Sequence, residues 1–299
     1  MRHGSNKNNQ YKKKQNHLFR RVIRNYISNI YKYLSSCRHV CMCGIRIDSI
    51  QKSIEQKLFS HSCKNNIKNI PIYILSYNRV TYLKEMIRTL EKYELSNITI
   101  IDNASTYPPL LDYYKSLSYK VIYMNKNYGY KVFFKHKLFL KIRLTSFYVY
   151  TDPDVIPIEN CPDNFLDIFY YALKNNLNVN KVGFSLKIDD LPDTCEFKQN
   201  VVAWESQFYK NVIPDEEVIL YDAKIDTTFA LYRPQIFSSM NFYSGIRTGY
   251  PYQARHLPWY KARDMLSDED IFYIRTSLTN VGNWNYNCNI DTLEKRYSE

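Results

Sequence analysis

From Asn69 onward, apolar and polar positions fall into short blocks with a strand or helix period. Ile70–Leu75 (IPIYIL) is an apolar run closed by the polar stretch Ser76–Arg79, which predicts a strand and a turn. Val80–Tyr93 then places Leu83, Met86, Ile87 and Leu90 on one helical face. Ile98–Ile101 predicts a second strand ending at Asp102-Asn103, Leu110–Leu117 a short helix, and Val121–Met124 a third strand ending at Asn125. Residues 130–144 are expected to hold a helix before the apolar run Phe147–Tyr150. That fourth strand must stop near Thr151, because Pro153 cannot donate to a ladder. Strands alternating with helices imply βαβ units, a parallel sheet and right-handed crossovers.

The second half has a mixed pattern. Asn164–Asn175 predicts a helix and Val182–Ile188 a strand. Ala223–Tyr232 predicts another strand, interrupted by Asp226-Thr227-Thr228. Gly249–Tyr260 (GYPYQARHLPWY) packs one glycine and two prolines among four aromatics, so an ordered loop is expected there. Leu266–Arg275 reads as a helix with Ser267 as N-cap and Asp268, Glu269 and Asp270 in its first turn.

Charge changes the picture at the N-terminus. The chain of 299 residues has a formal charge of +12, but residues 1–69 hold 15 Lys+Arg against Asp48 and Glu55. The remaining residues are close to neutral, so basicity gives no reason to expect nucleic-acid binding by the body. We divide the chain into a basic extension, 1–69, and a main domain, 70–299, with halves 70–157 and 158–299. Met1–Lys14 has a disordered composition. Leu18–Leu34 pairs apolar residues at helical spacing between arginines, a basic amphipathic helix suited to an anionic membrane surface or a protein face.

Seven scattered cysteines suggest reduced thiols and a cytoplasmic compartment. Cys37, His39, Cys41 and Cys43 lack the usual spacing of zinc ligands. No signal-peptide core and no apolar run long enough for a membrane span occur.

The polar residues cluster at the carboxyl ends of the predicted strands, the edge where open α/β sheets bind ligands. No G-x-G-x-x-G and no P-loop follow the first strand. Asp152 and Asp154 flank Pro153 at the end of a buried strand. Two carboxylates there are costly unless neutralised, and a divalent cation carrying a diphosphate would neutralise them. A turn using Asp for local hydrogen bonds is the simpler alternative.

The ordered series ILSYNR (74–79), IIDNAS (100–105), NKNYGY (125–130) and YTDPDV (150–155) resembles the nucleotide-binding half of a GT-A glycosyltransferase, family 2 in particular. The resemblance covers about residues 70–260. It implies a GT-A fold, α/β and Rossmann-like, with a mixed, mainly parallel sheet flanked by helices. It implies a nucleotide-sugar donor, with a UDP-sugar expected, and Mn2+ or Mg2+. The donor would lie against Ser76, Tyr77, Asn78, Arg79, Asp102, Asn127, Gly129 and Asp152, with Asp102 contacting the nucleoside. Asp154 would be the direct metal ligand, Asp152 a ribose or metal ligand, and His256 would complete the metal shell. A hydrogen-bonded structural role is the alternative for His256.

Inverting transfer to a glycan or other hydroxyl acceptor needs a base. The resemblance points to the acids that open the last helix, Asp268 or Glu269; Asp226, in a polar interruption of its strand, is the runner-up, and Asp270 serves the helix. The chain departs from the family in having no Q-x-x-R-W. Trp204 and Trp259 are the candidates to stack on an acceptor sugar, against the commoner placement of tryptophan in a core. Other readings are a sugar nucleotidyltransferase, which lacks its glycine-rich loop here, and a carbohydrate-binding module without turnover. Asn103-Ala104-Ser105 is a glycosylation pattern at the expected nucleoside site, where a glycan would obstruct the donor.

Overall fold

A computed structural model describes residues 43–235, 242–262 and 265–277. The expected helix at Leu18–Leu34 and the group Cys37, His39 and Cys41 lie outside the described residues. The chain divides into two compact units, Met1–Gln51 and Lys52–Glu299. Helix α1, Cys43–Cys63, precedes the main domain expected from residue 70. In the second unit Phe59 and Cys63 of α1 enter the core, where Phe59 stacks on Tyr170 at 3.5 Å between ring centroids.

The first four strands and their crossovers lie close to the expected spans. They are β1 (Ile72–Ser76), β2 (Ile98–Asp102), β3 (Lys120–Tyr123) and β4 (Tyr148–Thr151), with helices α2 (Thr81–Lys92) and α3 (Pro108–Ser116) between the first three. Helix α2 buries Tyr82, Leu83, Met86, Ile87 and Leu90. Each such side chain contributes roughly 1.5–3 kcal/mol by leaving water. The single helix expected over 130–144 is broken into α4 (Val132–Lys135) and α5 (Leu140–Thr145), joined by a 3-10 turn at Lys137–Phe139. The break lets Phe133 and Phe139 stack at 4.7 Å under the sheet.

The remaining elements are β5 (Val155–Pro157), α6 (Phe165–Asn175), β6 (Lys181–Leu186), α7 (Lys198–Glu205), β7 (Val212–Ile213), β8 (Leu220–Asp222), β9 (Ala230–Tyr232), β10 (Ile246–His256) and α8 (Asp268–Thr276). The sheet order is β3-β2-β1-β4-β9-β6-β10-β8-β7, with β5 paired to β10. Strands β3, β2, β1, β4, β6, β10 and β7 run one way, and β9, β8 and β5 the other. The architecture is thus a mixed, mainly parallel sheet flanked by helices, as expected.

Two expectations are corrected. Ala223–Tyr232 is strand only at Ala230–Tyr232, because residues 223–229 leave the ladder as an irregular loop and bends. Residues 249–256, expected as loop, belong to β10, the longest strand. Its pairing with β6 shifts between Thr248 and Gln253, so the glycine and proline sit in the irregularity while both flanks pair. Neighbours on both sides, β6 with β8 and then β6 with β5, outweigh poor local propensity. Gly183 shows how close the central strands lie: a Cβ there would stand 2.4 Å from the Phe229 carbonyl oxygen.

Among the described residues Cys63, Cys161 and Cys195 are free and buried. No described helix is long and apolar enough to cross a membrane.

Candidate functional site

The carboxyl ends of β1 and β2 are tied together by a buried hydrogen-bond set. The Tyr114 hydroxyl lies 2.9 Å from Asp102 Oδ1, to which it donates, and 2.9 Å from Ser76 Oγ. Asp102 Oδ2 accepts from the Ser105 backbone N–H at 3.1 Å. Burial, and then the charge of Asp102, push the Tyr114 pKa far up, so the phenol stays a donor. Asn78 adopts a left-handed backbone, φ 49°, and its side chain is wholly internal. Its Oδ1 accepts from the backbone of Thr106 and Tyr107 at 2.7 and 3.0 Å, and its Nδ2 donates to Thr276 Oγ1 at 2.8 Å. Tyr77 donates to the Thr276 carbonyl at 2.7 Å. Ser76, Tyr77, Asn78 and Asp102 therefore join the strand ends to each other and to α8.

The loop after β3 is held in the same way. Asn103 Nδ2 donates to Asn127 Oδ1 at 2.7 Å and to the Gly129 carbonyl at 3.3 Å, and its Oδ1 accepts from the Tyr128 N–H at 3.0 Å. Gly129, at φ 75°, donates its N–H to Asn127 Oδ1 at 2.8 Å. The nitrogen that a glycan would use at Asn103 is thus engaged inside the fold.

Next to this frame stands the charged centre. Arg79 places its guanidinium 3.7 Å from Asp154 and 3.9 Å from Asp270, stacked over the Tyr273 ring at 4.0 Å and facing Tyr82 at 4.9 Å. Burial opposes the guanidinium charge, yet the surrounding rings and carboxylates outweigh it and the pKa is raised. Arg79 Nε is buried without a hydrogen-bond partner.

His256 Nε2 lies 3.6 Å from Asp154 Oδ2. The two meet because β5 pairs with β10, setting His256 opposite Val155, and because the Leu257 N–H donates to the Asp154 carbonyl at 2.9 Å. Burial pulls the His256 pKa down against the pull of Asp154, with Arg79 adding to the fall, so the imidazole is neutral at pH 7. Its Nδ1 is buried without a hydrogen-bond partner. A carboxylate and a neutral imidazole at this separation suit a hard or borderline cation whose other positions are filled by phosphate and water. Asp152 meets Thr227: its carboxylate accepts from the Thr227 hydroxyl and its N–H donates to the Thr227 carbonyl at 2.9 Å. Among the described residues no group of three or more His, Cys, Asp or Glu forms a metal cluster. Of the expected trio, Asp154 and His256 stand as a close pair, and one carboxylate oxygen of Asp152 is hydrogen-bonded to Thr227.

Helix α8 separates its three acids by direction. Glu269 reaches back to α2 and accepts from the N–H groups of Val80 and Thr81 at 3.0 and 3.2 Å. Val80 has no capping side chain of its own, so Glu269 caps α2 from a distant part of the chain. Asp270 closes a capping box with Ser267, pairs with Lys261, and turns its other oxygen to Arg79. Burial works against its charge, but Lys261 and Ser267 outweigh it and lower the pKa. Asp268 is exposed.

Solved structures that resemble the chain include two, neither at high similarity. One is the mannosyltransferase PcManGT from Pyrobaculum calidifontis, in complex with GDP-Man and Mn2+, at a TM-score of 0.34 and 13% identity, over 55% of this chain and 44% of that one. The other is S. aureus TarS 1–349, at a TM-score of 0.32 and 15% identity, over 55% of this chain and 47% of that one. The chain spans less than half the length of each. No family model and no curated protein matches it. Likenesses this low leave the chemistry to be read from the site itself.

The other sequence candidates have structural surroundings of their own. Trp204 is buried among Phe208, Ala223 and Tyr243, and Trp259 is buried against the edge of His256 at 4.8 Å. Both expected acceptor platforms are core residues, since α7 and the 3-10 turn after β10 turn their rings inward. Asp226 is half-buried, and its carbonyl accepts from Lys181 Nζ at 3.0 Å. Burial holds the Lys181 pKa well below its usual value. The sequence reading missed Tyr114, Thr227, Lys261 and Tyr273. For Tyr273 a signal exists: it follows Glu269 by four residues, one helical turn, and faces the same strand ends.

Proposed function

We propose that the chain is a metal-dependent, inverting glycosyltransferase that moves a sugar from a nucleotide-sugar donor, with a UDP-sugar expected, to a hydroxyl of a glycan or similar acceptor. The observation that carries this is the convergence of Arg79, Asp154 and His256 beside the carboxyl edge of parallel strands. A buried arginine next to a carboxylate and a neutral imidazole is an arrangement for a diphosphate and its cation, and the edge is where such sheets take ligands. Asp154 and His256 would hold Mn2+ or Mg2+, which when bound neutralises charge on the leaving diphosphate. Arg79 supplies fixed positive charge in a site shielded from water.

In the transfer, an acceptor hydroxyl oxygen bonds to the anomeric carbon as that carbon's bond to the diphosphate breaks, and a carboxylate takes the hydroxyl proton. Of the three acids opening α8, Glu269 caps α2 and Asp268 stands on the surface, while Asp270 caps its own helix with one oxygen and turns the other to Arg79. Asp270 alone is linked through Arg79 to Asp154. We assign it the base role. Asp268 and Glu269, the acids expected from the sequence, stand beside it as the alternatives, with Asp226 as runner-up.

The test is nucleotide release from a panel of UDP- and GDP-sugars with Mn2+, with and without simple hydroxyl acceptors. Release that depends on Mn2+ and is lost in Asp154→Asn supports the reading. Binding without turnover across the panel would leave a carbohydrate-binding module instead.

A further inference from the structure

Between Asp112 and Asp152 the sequence holds seven lysines and Arg143, and no Asp or Glu. Residues 70–299 as a whole are close to neutral, so this one-signed stretch is an exception within the main domain. Its middle part folds as α4, a 3-10 turn and α5. Val132, Phe133 and Phe139 are fully buried, and Phe133 stacks on both Phe139 and Tyr150, at 4.7 and 5.1 Å. With Phe139 driven inward, its two neighbours must point out: Leu138 is 53% exposed and Leu140 39%. Lys135, Lys137 and Lys141 are exposed beside them. The surface continues through the contact of His136 with Tyr128 at 5.1 Å, and Lys126 lies 5.1 Å over that tyrosine ring. It adjoins the ligand edge through Asn127, which accepts from Asn103.

We propose that residues 126–143 form a docking surface for an anionic lipid bilayer. Single exposed leucines are ordinary, but a pair framed by lysines with no carboxylate in the stretch is complementary to a negative interface with an apolar interior. The cations meet the headgroups and the leucines enter the acyl boundary. A nucleic acid would satisfy the lysines and leave the leucines in water, so the lipid surface is favoured.

The experiment is sedimentation of the full chain with phosphatidylcholine vesicles, with and without phosphatidylserine. The chain binds the anionic vesicles and not the neutral ones. Lys135→Gln/Lys137→Gln/Lys141→Gln weakens that binding on the order of a hundredfold, from the attraction each cation near the surface contributes. The same sites changed to Arg keep it. Leu138→Ser/Leu140→Ser weakens it about tenfold, because less apolar area enters the interface. The control Lys92→Gln/Lys174→Gln/Lys210→Gln removes equal charge from elsewhere on the surface and has a much smaller effect. Melting temperature confirms that each variant is folded. Absent binding by the wild-type chain, or an equal loss in the control, overturns the proposal. So does an unaffected leucine variant combined with lysine-dependent RNA retention, which would show a polyanion site.

Discussion

From β3 to β4 the strands pair in parallel with one another, and each ends in a polar turn on the ligand edge. From β9 to β7 the pairing is mostly antiparallel, and the long β10 contacts β6, β8 and β5. The first region is assembled from consecutive βαβ units, so each strand end is chemically labelled by the residues that follow it. In the second region, position is set by register between distant segments. His256 reaches Asp154 by strand pairing, and Glu269 reaches Val80 across 189 positions. The comparison teaches that one half labels its strand ends through neighbours in sequence, while the other is brought to them by register and packing.

The sharpest way to break this division is Asp154→Asn. It should lower turnover by about a thousandfold, the scale of losing one preorganised electrostatic contact, with melting temperature nearly unchanged. Wild-type rate and Mn2+ dependence in that variant would remove Asp154 from the proposed metal site. Asp270→Asn should cost about a hundredfold in kcat through loss of a general base. The asparagine can still accept from the Ser267 N–H, so the helix start survives. A variant that melts early but turns over normally would return Asp270 to a purely structural role.

Two stability measurements probe the joins. Gly183→Ala forces a Cβ against the Phe229 carbonyl where β6 meets β9, and should destabilise by about 1–3 kcal/mol in urea unfolding. Glu269→Gln should lose about 1 kcal/mol by weakening the remote cap on α2 while kcat stays within a few-fold. If kcat instead falls a hundredfold with stability intact, Glu269 is the base and Asp270 the scaffold.

The smallest effect is on pH dependence. The folded-state pKa of His256 is depressed, so its contribution to stability is present above the unfolded value, near 6.5, and is lost as pH falls through the folded value. Wild-type melting temperature should therefore drop between neutral pH and mildly acid pH, and His256→Asn should flatten that part of the curve. Equal slopes in the two proteins would show that His256 is not buried neutral.

Much of the first half was legible because its signals are local. The face of α2 follows from Leu83, Met86, Ile87 and Leu90, and the end of β4 follows from Pro153. The second half misled where tertiary contacts outweighed propensity. Gly249 and Pro251 argued for a loop over 249–256, yet pairing on both sides held the chain as strand. Trp204 and Trp259 looked like sugar platforms only because sequence does not show which way a ring turns.

Sequence alone determined the alternating elements, the polar strand ends, the Asp-x-Asp turn and the capped start of α8, since each depends on residues within one or two turns of one another. Tertiary structure decided that Asp152 is hydrogen-bonded to Thr227, that His256 stands against Asp154, and that Glu269 and Asp270 leave one helix turn in different directions. Those outcomes depend on strand register and helix rotation, which are fixed by the packing of the whole sheet and leave no mark at the spacing of a motif.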